Sequence, residues 1–336
     1  MTASAQDRFI RTVLGDIPAD ALGMCYAHEH LIIDPSYTTE KNPDFLLDDV
    51  DRCTEELRRV YAVGGRAMVD SMPMACGRNV LKLAQASRDS GVHILCPTGL
   101  HLAKYYPAWH WCARIDVDAL AGLFVDEINL GIDANDGNGP VLRRTTHRAG
   151  LIKIASSLNG LTDHEHRVFR AAAEAHRATG APIMTHTEQG TAAIEQVELL
   201  SSLDVDPAHV VLSHTDRVAD LAYHRAILQT GVCVEYDSAF RWKQSENPTV
   251  ELLVALLDEF PHQIMVGMDA ARRGYWRAYG GTPGLTYLIE SLVPLLKDRG
   301  VSTASLQRMF VDNPAAAFSF ADCSSKQRTD RTGARS

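Results

Sequence analysis

The sequence predicts a single α/β domain, a (β/α)8 barrel of the TIM type, and three observations predict it. Eight short apolar runs recur along the chain, and each is followed by a helical pattern. Most of the runs are continuously apolar rather than alternating, as in a parallel sheet covered by helices. At 336 residues the chain exceeds the usual single-domain size, yet such a barrel runs this long as one unit. A doubly wound open sheet is the competing architecture. No GxGxxG turn follows the first strand to favour its dinucleotide-binding version.

The stretch "FIRTVLGDIPADALG" reads as a short extended lead-in with turns. The strand candidates follow: "MCYAH" (24–28), "AMVDS" (67–71), "VHILCP" (92–97), "LIKIA" (151–155), "PIMTH" (182–186), "HVVLSH" (209–214), "GVCVEY" (231–236) and "IMVGMD" (264–269). Each is too short for a buried helix and rich in β-branched or bulky apolar residues. Helical patterns separate them. "DDVDRCTEELRRVYAVGG" stops at Gly64-Gly65 and "NVLKLAQASRDSG" at Gly91, where glycine closes a helix. Six more follow in turn, the last being "PGLTYLIESLVPLLKDRG". The barrel is therefore expected over 1–320, with a polar, apolar-poor, disordered tail over 321–336.

Composition narrows the function classes. Forty-six per cent hydrophobic and 22% charged residues describe a soluble globular protein. A net charge of −9, from 33 basic against 42 acidic residues, argues against nucleic-acid binding but leaves room for a local basic pocket. No apolar stretch approaches membrane-spanning length, and the start shows no secretory h-region. Seven scattered cysteines without a CxxC pair indicate reduced thiols in a cytoplasmic protein and no cysteine-based zinc site.

Two His-Glu-His triplets compete as metal sites. On a strand, residues i and i+2 point the same way, so His28 and His30 can converge on one ion. The second triplet follows Thr162, which forms a capping-box signature with Glu165 at a helix start. There i and i+2 lie roughly 200° apart. His164 and His166 are therefore read as solvated first-turn residues. Functional groups of a barrel gather at the C-terminal ends of its strands. Those ends carry His28, His30, Lys153, His186, His214 and Asp269, while Asp70 and Asp237 read as supporting or loop-capping groups. The remaining histidines, His101 among them, read as structural or exposed. Lys153 stands inside an apolar strand, where an amine is rarely tolerated without a partner. It is either an ion-paired lysine or a buried amine whose lowered pKa invites modification.

"HEH" on the first strand, "GLIKIAS" on the fourth, "PIMTHT" on the fifth, "VVLSHTD" on the sixth, "GMDAAR" on the eighth and the late "DNPAAAFSF" together resemble the phosphotriesterase family of the amidohydrolase superfamily. The likeness spans about residues 12–320, with the motifs in order. It implies a binuclear centre: His28, His30 and Asp269 on a more buried ion, His186 and His214 on a more exposed one, and carbamylated Lys153 bridging both. The thiolate-free ligand set suits zinc first, and also manganese, cobalt or iron. Two close cations would supply a bridging hydroxide near neutral pH, with Asp269 passing the proton to the leaving group.

The loops after strands seven and eight bear on the substrate. "DSAFRWKQSENP" brings Arg241, Trp242 and Lys243, and "MDAARRGYWRAYGG" brings Arg272, Arg273, Tyr275 and Trp276. In an acidic protein this cluster is either surface charge stacked on aromatics and paired with acids, or an anion clamp. The arrangement resembles the family branch that hydrolyses phosphorylated sugar lactones, where Lys243, Arg272 and Tyr275 would match phosphate binders. Tyr105, Tyr106 and Trp109 are offered as further pocket walls. The expectation is a lactone or carboxylic-ester hydrolase acting on a small anionic, phosphate-bearing sugar derivative. A phosphotriester, acyl-sugar or N-acyl amide substrate stays open, as does a catalytically silent binding barrel. A homodimer is also left open.

Overall fold

The computed structural model describes residues 8–243 and 245–322. Of the tail expected over 321–336, residues 323–336 lie outside the described residues. The lead-in is a hairpin, strands β1 (Phe9–Thr12) and β2 (Gly15–Pro18), and the barrel strands follow. These are β3 (Cys25–Glu29), β4 (Ala67–Asp70), β5 (His93–Leu95), β6 (Pro97–Gly99), β7 (Leu151–Ser156), β8 (Ile183–Thr187), β9 (Val210–Ser213), β10 (Cys233–Tyr236) and β11 (Ile264–Val266).

All neighbouring barrel pairs are parallel, in the orders β3-β4-β5 and β6-β7-β8-β9-β10-β11. The predicted third strand is thus two short pieces, β5 and β6, interrupted at Cys96. The Cys96 carbonyl still accepts from Gly150 N at 2.9 Å, which keeps the wall continuous with β7. The ring closes where Met268 N and Asp269 N donate to the His28 carbonyl at 3.2 and 3.0 Å. Eight strand positions, one wall: the structure is the (β/α)8 barrel.

The helices are α1 (Tyr37–Lys41), α2 (Val50–Ala62), α3 (Val80–Ser90), α4 (Val117–Asn129), α5 (Asp163–Thr179), α6 (Ala193–Ser202), α7 (Leu221–Gln229), α8 (Pro248–Leu256), α9 (Val293–Asp298), α10 (Thr303–Gln307) and α11 (Asn313–Ala317). A π-helical turn, Leu288–Leu292, leads into α9. Gly91 closes α3 in the left-handed conformation, as its position in the sequence requires.

The interior is sealed from below. Inward side chains near the strand starts, Cys25, Ala67, Leu151, Val211 and Cys233, pack with Ile10 of the hairpin, Leu22 and Phe318 into one apolar cluster. Outside it, Phe9 stacks on Phe320 at 4.6 Å, and the Arg11 guanidinium lies 4.7 Å from the Phe320 ring while pairing with Asp16. Polar side chains such as Lys153 and His186 therefore meet above this plug, toward the C-terminal side of the strands. One row of the ladder, Ala155, His186, Ser213 and Glu235, runs straight across β7 to β10.

Candidate metal centre

At the C-terminal end of the strands lies a cavity of about 280 Å³. His28, His30, Lys153, His186, His214 and Asp269 all line it, so the side chains drawn from five separate strand ends meet in one place. The ring centroids of His28 and His30 are 5.6 Å apart, those of His28 and His214 4.7 Å, and those of His186 and His214 4.5 Å. His30 Nε2 lies 3.2 Å from Asp269 Oδ1, and His28 Nε2 lies 3.7 Å from the same oxygen. Ligand atoms of His28, His30 and Asp269 fall within 4.8 Å of one another. So do those of His28, His214, Glu235 and Asp237.

Local backbone explains the convergence. Ala27 packs in the barrel interior, so a regular strand would turn its neighbour His28 to the other side. The pairing of β3 with β4 shifts register between Tyr26 and Glu29, and His28 reaches the cavity. His214 (φ 70°) and Asp269 (φ 48°) both adopt the left-handed conformation at their strand ends. Such backbone costs about 1–3 kcal/mol for a residue other than glycine and persists where surroundings enforce it, typically at functional sites.

Besides the His30–Asp269 contact, two histidines hydrogen-bond a further carboxylate and a third lies near one without a hydrogen bond. His28 Nδ1 lies 3.4 Å from Glu235 Oε2, His186 Nε2 lies 2.8 Å from Glu188 Oε2, and His214 Nδ1 meets Asp237 Oδ2 in a short hydrogen bond. The hydrogen-bonded imidazoles of His186 and His214 each present the other nitrogen in a fixed direction with raised basicity, the usual support of a metal-binding histidine. Lys104 Nζ binds the far oxygen of Glu188 at 2.8 Å. The hydrogen bond from His186, joined by Lys104, outweighs the upward push of burial and lowers the Glu188 carboxyl to about 2.

Electrostatics leaves these candidate ligands in the form that a metal would need. Burial first, then Lys153 and His214, push the His28 imidazolium well below its ordinary range. Burial and Arg217 do the same to His214. Burial pulls the Lys153 amine down to about 8 against the opposing charges of Glu235 and Asp269. Burial pushes Asp269 up, but the His30 hydrogen bond and the His214 charge outweigh it and hold the carboxyl well below the usual carboxylate range. The fully buried His28 Nδ1, His30 Nδ1 and both Glu235 carboxylate oxygens have no hydrogen-bond partner. Such unsatisfied atoms are costly in a protein interior unless something further completes the site. Imidazoles, carboxylates and an amine without thiolates fit divalent zinc, manganese, cobalt or iron.

The cavity wall differs in part from the wall the sequence suggests. Tyr105, Arg272 and Tyr275 line it, whereas Lys243 lies exposed outside it with its backbone bridged to Glu246. Arg241 comes in from the same loop instead. Its Nη2 donates to Asp269 Oδ2 at 3.1 Å, and its Nη1 donates to Tyr275 Oη at 3.2 Å. Arg272 stacks 4.6 Å over Phe45 and pairs with Asp44 at 3.5 Å. Arg273 turns away to Leu46 O and Asp48, and Trp276 is core, bonded to Ala270 O. Tyr106 is buried, donating to Met74 O, and Trp109 is 75% exposed, so neither walls the cavity.

Sequence reading passed over His101, Arg217, Glu188 and Glu235. His101 lines the cavity, its ring 5.0 Å from His186 and 4.1 Å from Tyr105, and is not a remote structural histidine. Arg217 also lines it, donating to Asp269 Oδ2 at 3.0 Å. Glu235 carried a usable signal, the same charge within an apolar strand that marks Lys153. The second triplet behaves as its capping box requires: Thr162 caps α5 reciprocally with Glu165. His164 and His166 are half-buried rather than fully solvated, and His164 Nδ1 sits 3.2 Å from Arg167.

Comparison with known proteins agrees with this geometry. Residues 8–318 match the phosphotriesterase family. A phospho-furanose lactonase of Mycoplasmopsis agalactiae is 33% identical over 328 residues, covering 94% of this chain and 93% of the relative. The crystal structure of an amidohydrolase from Mycoplasma synoviae superposes with a TM-score of 0.90 at 32% identity, over 94% of this chain and 93% of that one. The lactonase structure from Listeria monocytogenes gives 0.85 at 30% identity, over 94% of this chain and 100% of that one. With the whole barrel and the ordered ligand set accounted for, the chain belongs to the phosphotriesterase family of metal-dependent hydrolases.

Proposed function

We propose that this protein hydrolyses a phosphorylated sugar lactone, or a closely related carboxylic ester, at a binuclear metal centre. The observation that carries the reading is a wall of Arg217, Arg241, Arg272 and Tyr275 facing the histidine cluster in a protein of net charge −9. Guanidinium forks beside a phenol suit an anion such as phosphate. The name of the Mycoplasmopsis agalactiae relative, phospho-furanose lactonase, supports the same substrate class.

His28, His30 and Asp269 would hold one ion, His186 and His214 the other, and Lys153 as its carbamate would join them. When bound, two close cations supply Lewis acidity toward a carbonyl and lower the pKa of water. The protein's own groups do the rest. Asp269, held ionised by its neighbours, takes the proton of the attacking water and returns it to the departing alkoxide. Arg241 fixes that carboxylate from one side and Arg217 from the other. Arg272 and Tyr275 grip the remote phosphate and so set the ring over the histidines without entering the chemistry.

The test is kcat/KM for a phosphorylated γ-lactone and its dephosphorylated twin, in wild type and Arg272→Ala. Losing one charge-assisted contact should cost about 1.5–3 kcal/mol on the phosphorylated substrate. The twin should react poorly in wild type and hardly change in the variant. Equal losses on both substrates would remove the clamp. Lys243→Ala, measured alongside, separates a clamp of Arg272 and Tyr275 from one that also draws in Lys243.

A further inference from the structure

Glu29, the middle residue of the first His-Glu-His triplet, is fully buried and is not among the cavity-lining residues. Its carboxylate straddles the loop that carries Asp269. Oε1 accepts from Met268 N at 2.9 Å, and Oε2 accepts from Ala270 N at 3.4 Å. Between them Asp269 N donates to the carbonyl of His28 at 3.0 Å. Three successive N–H groups after β11 are thus received by two successive residues of β3. Neither end of this arrangement tolerates slack. A side chain at Gly267 would fall 2.6 Å from the His28 carbonyl, so the chain passes β3 at backbone distance. Asp269, between the two clamped amides, is held at φ 48°.

We propose that Glu29 is a positioning residue, whose carboxylate fixes the backbone on both sides of Asp269 and thereby aims that side chain into the cavity. The first triplet then divides its labour: the outer histidines enter the cavity, and the inner glutamate secures the ligand arriving from the opposite end of the sequence. Without it, the Ala270 amide loses its acceptor and the Met268 amide keeps only its longer bond to the His28 carbonyl, so an aspartate in an unfavourable backbone region loses contacts on both sides. Glutamine would preserve the shape but turn an NH2 group toward one of the two donors.

The proposal rests on the metal-centre reading, and its test is a double-mutant cycle read by zinc retention. Zinc affinity by chelator competition is measured for Glu29→Gln and Glu29→Ala, each in the native and the Asp269→Asn background. With Asp269 present, Glu29→Gln should weaken zinc tenfold or more, and Glu29→Ala further. In the Asp269→Asn background the same changes should shift zinc affinity less than twofold, because the residue they act through is gone. Thermal melting, a readout of general packing, should fall alike in both backgrounds. Equal zinc losses in both backgrounds, or undiminished zinc in Glu29→Ala, would overturn the role. If the substituted chains do not fold, native-state hydrogen exchange of the wild type decides. Protection of the Ala270 amide, which donates to Glu29 and not to the His28 carbonyl, to near the global limit supports the clamp, and its exchange at exposed-loop rates overturns it. A wild-type chain that bound no zinc would sink the metal-centre reading instead, and amide exchange would still judge the clamp.

Discussion

Burial pulls the Lys153 amine down to about 8, while the unfolded lysine keeps its ordinary 10.5. Between those values the unfolded chain binds a proton that the folded chain has released, so stability rises with pH. Below about 8 the full cost of the buried charge stands. Chelator-treated wild type should therefore be less stable than Lys153→Met near pH 7, with the gap narrowing toward pH 10. Urea midpoints across that range check it, and a constant gap would show that the amine is not buried as charge. In the loaded enzyme Lys153→Ala should lose metal and most turnover, with partial rescue by small carboxylates. The sequence displayed the ligand side chains because strand ends are legible as ends of apolar runs. Their carboxylate supports were harder to see. Glu188 follows His186 by two positions, but its place in the loop after β8 hides that it folds back onto the imidazole, and Glu235 inside β10 shows no partner until folding brings His28 alongside. Arg217 was hidden similarly, since nothing local ties it to an aspartate 52 positions away.

Among elements, α2 does more than cover the sheet. Its Glu56 is fully buried and accepts from Ala278 N at 3.0 Å, Leu285 N at 2.9 Å and, more weakly, Arg277 N at 3.4 Å. One helix thus anchors the far part of the loop that bears Arg272 and Tyr275. Glu56→Ala should lower stability by about 2–4 kcal/mol, the cost of stranding several charge-assisted bonds, and raise KM for an anionic substrate more than it lowers kcat. Denaturation and steady-state kinetics together check this, and an unchanged KM would disconnect α2 from the substrate wall. The sequence marked strands and helices well because each apolar run is bounded by helix starts and glycine stops. It missed the break at Cys96, which ladder geometry imposes. It also ran β11 three residues too long, because 267–269 leave the β-ladder to meet Tyr236 and His28. The lead-in was legible as extended chain, but its hairpin pairing is fixed by packing under the barrel.

At the scale of the whole molecule, the cavity collects groups from β3, β7, β8, the end of β9 and the turn after β11. Ions held there would tie one half of the barrel to the other, so stripping them should lower the melting temperature and returning zinc should restore it. A melting temperature indifferent to chelator would mean that the barrel stands without its centre. The closure of β3 against the end of β11 also bears on how the protein is made. His28 and Asp269 are 241 positions apart, so their meeting is among the costliest loop closures in the chain. Helices and neighbouring strand pairs need only local closures. The full set of cavity side chains comes together only once the last strand has found the first. Metal capture at such a centre during refolding would therefore time the joining of the barrel's two ends, and a nascent chain lacking the Asp269 segment would stay without that site however much of its wall is already built.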